Sequence, residues 1–272
     1  MNWWGKVLGG SLGFMMGGPL GAILGTVLGH RFDKGVEGIK QQIPWNAGVQ
    51  ERVQTAFFTA TFTVMGHIAK ADGVVTKEEI ALAQQLMAQM QLNAEQKKTA
   101  IALFNKGKDS NFPLNDLLQQ FRKECHRRKN LLRMFMEIQI QAAYADGTMD
   151  QSERLLLLDI SQQLGFSRVE FDHLDNLIRA ARQFGGHGGQ QYQQGHNAPS
   201  SAQQLKAAYE LLDIPASSGD KEVKKAYRRM MNRHHPDKLV AKGLPEEMIK
   251  IATEKTQEIK AAYDMIKASK EG

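Results

Sequence analysis

The chain has 272 residues, a formal net charge of +6, a pI near 9.3 and 42% hydrophobic residues. That length accommodates a membrane segment and two small domains. The basic excess suits an acidic partner or an anionic membrane surface and does not by itself indicate nucleic acid. Cys125 is the single cysteine, which excludes internal disulfides and fits a reducing compartment.

Residues 1–6 form a short amino-terminal segment, and residues 7–29 contain no charged side chain over 23 positions. As a helix that run would span about 35 Å, enough to cross a bilayer core with some tilt. Trp3 and Trp4 precede it, and His30, Arg31 and Lys34 follow, as interfacial anchors do. Gly5, Gly9, Gly13, Gly17, Gly21, Gly25 and Gly29 recur at every fourth position. At helical spacing they make a groove without side chains, where a second backbone can approach closely. In water so many glycines would oppose a helix by about 1 kcal/mol each; in lipid the backbone must satisfy itself, so the helix persists. A cleaved secretory signal is the alternative. The meagre charge at the start, the length of the run and the lack of a small-x-small cleavage site favour an anchor, taken as residues 7–30. Arg31, Lys34 and Lys40 against Lys6 and the amino terminus give only a weak bias toward a cytoplasmic carboxyl side, with residues 1–6 then periplasmic. A juxtamembrane segment, 31–49, follows.

Residues 50–182 read as helices throughout and contain an internal repeat. Ala71-Asp72-Gly73 through Thr76 and Glu79 matches Ala145-Asp146-Gly147 through Asp150 and Glu153, displaced by 74, and the same displacement relates Asn93/Gln96 to Ser167/Glu170. All four pairs have capping-box spacing, so each predicts a helix start. Long apolar helices are expected over 57–69 and 131–144, with a connecting helix near 114–123. This duplicated bundle with its Ala-Asp-Gly turns resembles the tellurite-resistance TerB-like domain.

Asp72, Glu78 and Glu79 lie in one loop and Asp146, Asp150 and Glu153 in the other, but neither has the alternating ligands of an EF-hand. Turn geometry, capping and the helix dipole account for these residues, so no metal site is expected. Met65, Met87, Met90, Met134 and Met136 fall on helical faces, as core residues or as a pliable peptide-binding surface. Cys125 sits among Arg122, Lys123, Arg127, Arg128 and Lys129, which would lower a thiol pKa, unless the cysteine is simply buried.

Residues 183–204 are rich in Gly, Gln and Ser with almost no charge and predict a flexible tether, with a root-mean-square reach of about 25 Å. His187 and His196 are too loosely spaced there to make persuasive metal ligands.

From 205 to 272 helices are expected again. Leu205, Ala208, Tyr209, Leu211, Leu212 and Ile214 make one amphipathic stretch before Pro215. Val223, Ala226, Tyr227, Met230 and His234 mark the buried face of a second helix, whose other faces carry Lys221, Lys224, Lys225, Arg228, Arg229 and Arg233. Pro236 ends it, leaving His235 and Asp237 on a stiff turn. Pro245, Glu246 and Glu247 open a third helix along Met248, Ala252, Ile259, Ala262, Tyr263 and Ile266. The basic face would also suit plain solvation or electrostatic nucleic-acid binding, and His235 with Asp237 would suit catalysis. No serine is placed beside them as nucleophile, and the cysteine is distant in sequence. A basic helix running into His235-Pro236-Asp237-Lys238, between two such flanks, resembles helix II and the signature loop of a J domain over about 203–270. J domains engage DnaK-type ATPases.

Membrane helix, TerB-like bundle, tether and carboxyl-terminal J domain together resemble the membrane-anchored DnaJ-like co-chaperones of Gram-negative bacteria. The resemblance implies an all-α, single-span inner-membrane protein that faces the cytoplasm and dimerises through its anchor. It implies a DnaK-type partner bound through His235, Pro236 and Asp237, beside Lys221, Lys224, Lys225, Arg228 and Arg229. It also implies a role in capsular polysaccharide induction through an envelope-stress phosphorelay. No catalytic residue, cofactor or nucleic-acid partner is expected. The second reading is a membrane-tethered stress- or metal-sensing scaffold acting mainly through the bundle.

Overall fold

The computed structural model describes residues 18–29, 48–71, 75–185 and 201–271. All regular structure among them is helical, as the sequence predicts. The chain forms two compact units: residues 1–168 with 240–249, and residues 169–239 with 250–272.

The first unit contains α1 (Pro19–Gly29), α2 (Val49–Ile68), α3 (Lys77–Gln89), α4 (Ala94–Gly107), α5 (Leu114–Glu124), α6 (Lys129–Ala143) and α7 (Gln151–Gln163). Its axis is α2, where every residue from Val53 to Gly66 is buried. A helix enclosed on all sides must hide its polar groups as well as its apolar ones. Three of its four buried threonines do so locally: Thr55 Oγ1 donates to the Glu51 carbonyl (2.9 Å), Thr61 to Phe57 (2.7 Å) and Thr63 to Thr59 (2.6 Å). Around α2 the aromatic core closes, with Phe57 edge-on to Phe121 at 6.1 Å and to Phe135 at 6.3 Å. All five methionines singled out above are buried, Met136 completely, so they are core residues and offer no peptide-binding surface.

The repeat persists in the fold. α3 and α7 start at Lys77 and Gln151, and α4 and the later α8 (Arg168–Gly185) at Ala94 and Arg168, each pair separated by 74. Thr76 Oγ1 accepts from Glu79 N (3.2 Å) and Glu79 Oε2 from Thr76 N (2.7 Å). Asp150 with Glu153 and Asn93 with Gln96 close the same reciprocal pair. These local bonds are why the helix starts fall where the sequence puts them. The long helix expected from 57 begins earlier, at Val49, because the Glu51 carboxylate accepts from Gly48 N (3.2 Å) and caps it there.

The apolar run at the amino terminus is described only as α1, eleven residues beginning at Pro19. Pro19 suits the first turn of α1, and residues 7–17 of the helix expected over 7–29 lie outside the described residues. Leu20, Ile23 and Leu24 are buried, α1 packs on α2, α4 and α5, and Gln120 Oε1 accepts from Leu20 N (2.8 Å). No helix among the described residues is long and apolar enough to cross a membrane. Of the glycine series, Gly21, Gly25 and Gly29 lie in α1; Gly5, Gly9, Gly13 and Gly17 lie outside the described residues, as do Asp72, Gly73 and most of the tether.

The second unit is built from α8 (Arg168–Gly185, from its second residue), α9 (Ser201–Leu211), α10 (Asp220–His234), α11 (Pro236–Val240) and α12 (Ile249–Glu271). Its core joins Leu211 and Leu212 of the first helical stretch to Val223, Ala226 and Met230 of α10 and Ile259, Ala262 and Ile266 of α12. Each of the leucine, isoleucine, valine and methionine side chains among them contributes about 1.5–3 kcal/mol by leaving water. α10 and α12 run antiparallel: Lys270 Nζ, near the end of α12, donates to Ser218 O (2.7 Å) and pairs with Asp220 (2.9 Å). Seven residues inward along each helix, Tyr227 stacks on Tyr263 with centroids 4.4 Å apart.

Candidate functional site

α10 divides its charges from its core by helical geometry. Val223, Ala226, Met230 and His234 are buried, whereas Lys221, Lys224, Lys225, Arg228 and Arg229 are exposed. At 100° per residue the five cations fan across the face opposite the buried stripe. Gly219 precedes the helix, and Glu222 Oε2 accepts its N–H (3.1 Å), so an acid sits in the first turn and the basic side chains follow.

The five cations are not equivalent. Arg229 Nη2 donates to Leu212 O (3.3 Å), Asp213 O (3.1 Å) and Asp213 Oδ2 (3.2 Å). It closes the exposed carbonyl end behind α9, where Asp213 adopts a left-handed φ of 63°. His173 Nε2 on α8 stands 3.4 Å from the same Asp213 carboxylate. Sequence spacing places Arg229 with its neighbours on the basic face; the fold gives it this structural task. Asp213 followed by Ile214 and Pro215 at a helix end was the available signal.

Pro236 ends α10, as expected, but no loop follows: it is the first residue of α11, where its missing N–H costs nothing. His235 is the hinge between the helices, with an extended ψ of 124°. Its Nδ1 accepts from Asp237 N at 3.3 Å, capping α11 with an imidazole, and lies 3.9 Å from Asp237 Oδ2. The Asp237 side chain is 91% exposed and the His235 side chain 44%. His235 and Asp237 are thus held at a corner whose backbone is fixed by a proline, with the carboxylate directed to solvent. Lys238 Nζ pairs with Asn232 Oδ1 across this corner. Nothing here resembles a nucleophile with its base, and the arrangement offers directional hydrogen bonds beside a cationic face.

The acids of the second Asp-Gly loop are engaged in the chain itself. Asp146 Oδ1 accepts from Thr148 N (3.2 Å), and Asp150 Oδ1 accepts from Glu153 N (2.9 Å) and Ser152 Oγ (2.7 Å). The Glu153 N–H and the Ser152 hydroxyl hold the Asp150 carboxyl below its usual range. Burial pushes Glu153 up to about 7, with Asp150, Glu79 and Asp146 adding repulsion. No set of three or more potential metal ligands gathers among the described residues. Cys125 is fully buried, and burial raises its thiol to about 12, overriding the nearby Arg128 charge that lowers it. The basic surroundings therefore do not activate it.

Comparison with known proteins agrees with this arrangement. Residues 1–42 match the co-chaperone DjlA transmembrane domain, 58–176 the tellurite resistance protein TerB family, and 207–271 the DnaJ domain. The chain is 47% identical to the co-chaperone protein DjlA of Yersinia pestis, with 99% of both chains covered. It is 46% identical to that of Photobacterium profundum, over 98% of this chain and 99% of the relative, and 42% identical to that of Escherichia coli O157:H7, over 99% of both. No solved structure matches. An uncharged glycine-patterned amino terminus, a duplicated helical bundle and a basic helix turning at His235-Pro236-Asp237 are thus parts of one architecture, and the chain belongs to the DjlA family of J-domain co-chaperones.

Proposed function

We propose that this co-chaperone binds a DnaK-type chaperone through α10 and the His235-Pro236-Asp237 corner and stimulates its ATPase while held at the inner membrane. The observation that carries the reading is the corner itself: an imidazole and a carboxylate fixed by Pro236 at the end of a helix whose exposed face is cationic. Lys221, Lys224, Lys225 and Arg228 supply complementary charge that speeds encounter and fixes register. His235 and Asp237 then make directional hydrogen bonds in the docked complex. No residue acts on ATP. The partner hydrolyses faster because docking favours its hydrolysis-competent state over its resting one.

The anchor in this reading is residues 7–30, with the amino terminus periplasmic, the remainder cytoplasmic and the glycine series forming a homodimer contact, and its insertion requires α1 to leave α2, α4 and α5. Support comes from the uncharged run, its four-residue glycine spacing and the transmembrane-domain match over 1–42. A role in capsular polysaccharide induction through an envelope-stress phosphorelay follows from the family resemblance alone, and a capsule-gene reporter in cells carrying His235→Gln tests it.

The test of docking is steady-state ATP hydrolysis by DnaK with the full chain in detergent. His235→Gln and Asp237→Asn should keep the helical content and unfolding temperature of the parent and lose stimulation. Normal stimulation by both variants would remove the assignment.

A further inference from the structure

Between α5 and α6 the chain makes a tight turn that carries a concentration of positive charge. Arg122, Lys123, His126, Arg127 and Lys129 are all exposed, within eight consecutive positions. Nothing about the turn is loose. Cys125 is fully buried beneath it, and its carbonyl accepts from Arg128 N (2.9 Å). Arg127 takes a left-handed φ of 63° that lifts its side chain off the path of both helices. Two of the cations reach over the neighbouring 163–166 turn: Arg122 Nη1 donates to Gln163 O (3.0 Å), and Lys129 Nζ lies 5.6 Å from the Phe166 ring. Arg168, exposed two residues beyond Phe166, extends the patch. One turn along α6 from Lys129, Arg133 has a buried Nη1 with no hydrogen-bond acceptor. The nearby acids are fewer. Glu124 is occupied by Arg52 at 3.6 Å, and Asp159 accepts from Gln163 Nε2 at 2.8 Å.

We propose that this patch is a docking surface for anionic lipid headgroups, seating the TerB-like bundle against the membrane to which the chain is anchored. The proposal rests on the anchor reading above. Three observations favour lipid over other polyanions. The patch is a compact cluster a few residues across, which suits charges screened beyond about 8 Å. None of its exposed residues is aromatic, whereas single-stranded nucleic acid is held by stacking on aromatic side chains. Only 18 residues separate Gly29 from Gly48, so the covalent tether reaches at most about 60 Å. Such a tether keeps the bundle at millimolar effective concentration over the lipid surface, and attraction too weak to recruit a free protein suffices to orient a tethered one. Each basic residue close to an anionic surface strengthens attachment about fivefold.

The test uses the full chain in vesicles, with a fluorophore on Ser167→Cys, an exposed position beside Phe166. Cys125 is buried and stays unlabelled. Quenching by headgroup-labelled lipid should be strong in phosphatidylglycerol-containing vesicles and weak in phosphatidylcholine alone. It should fade in 0.5 M KCl and fall at least tenfold, as an apparent association constant, in the variant Lys123→Gln, Arg127→Gln, Lys129→Gln. Equal quenching in both lipids, or insensitivity to salt and to the triple variant, would overturn the proposal. So would a mixed-sequence RNA oligonucleotide that displaced the bundle from anionic vesicles through the same residues. Co-flotation of the protein with every vesicle type separates these failures from a failure of the anchor, which would remove both readings.

Discussion

Gly66 of α2 and Gly107 of α4 lie at one close helix crossing, each against the backbone of the other helix. A Cβ at Gly66 would overlap the Phe104 carbonyl oxygen, and one at Gly107 the Thr63 carbonyl oxygen. His67 Nδ1 donates to the Gly107 carbonyl at 3.0 Å beside them. The obstacles are backbone atoms of two packed helices, and these cannot swing aside as a long side chain can.

Gly66→Ala and Gly107→Ala should therefore each destabilise the bundle by about 3 kcal/mol or more, despite the better helix propensity of alanine. Gly48→Ala, where nothing lies within 4 Å of the added carbon, should stay within about 1 kcal/mol. Urea unfolding of the three variants separates them; a neutral Gly66→Ala would mean that the helices slide.

Stability should also depend on pH through Glu153. Burial raises this carboxyl from 4.5 to about 7 in the folded chain. Its contribution is fully present below the unfolded value and is lost as pH rises through 7. The unfolding temperature should fall between pH 6 and pH 8. Glu153→Gln keeps an oxygen to accept from Asp150 N and should flatten that fall, which calorimetry at the two pH values would read. A parallel pH dependence in parent and variant would place the titration elsewhere.

Arg228 and Arg229 are adjacent and should fail differently. Arg229→Ala removes three hydrogen bonds behind α9 and should cost about 1–2 kcal/mol of the second unit's stability. Arg228→Ala should leave unfolding unchanged and weaken association with DnaK, more so at low salt. Thermal melts and salt-dependent binding by calorimetry give the two readouts. Equal stability of both variants would return Arg229 to the docking face alone.

Cys125 should be inert. With its thiol raised to about 12 by burial, the thiolate is scarce at pH 7.5, and access is blocked. Ellman's reagent should react within minutes in 6 M guanidinium and not over hours in buffer. Fast reaction of the native chain would show that the α5–α6 turn opens.

What the sequence reveals follows the range of the interactions. Capping boxes act over three residues, so Thr76, Asn93 and Asp150 mark helix starts from their neighbours alone. The buried face of α10 is equally legible, because its period is a property of one helix. Contacts made over distance are not. Nothing beside Arg229 in the sequence names Asp213 as its acceptor, and nothing near Cys125 tells that burial outweighs the charges around it. Pro236 was readable as a helix end but not as the start of α11, since a five-residue helix leaves too short a pattern. The tight α2–α4 crossing was hidden for the same reason, each glycine meaning little until the other helix is in place.

The antiparallel pairing of α10 with α12 gives the carboxyl terminus a job. Lys270 closes the open end of the hairpin on Ser218 and Asp220, and the Asp220 carboxylate raises the lysine's own pKa. The last turn of α12 is therefore a latch. A protease that trims back to residue 269, or acetylation of that one lysine, would leave Asp220 and the Ser218 carbonyl without it and let the mouth of the hairpin fray from the end farthest from His235.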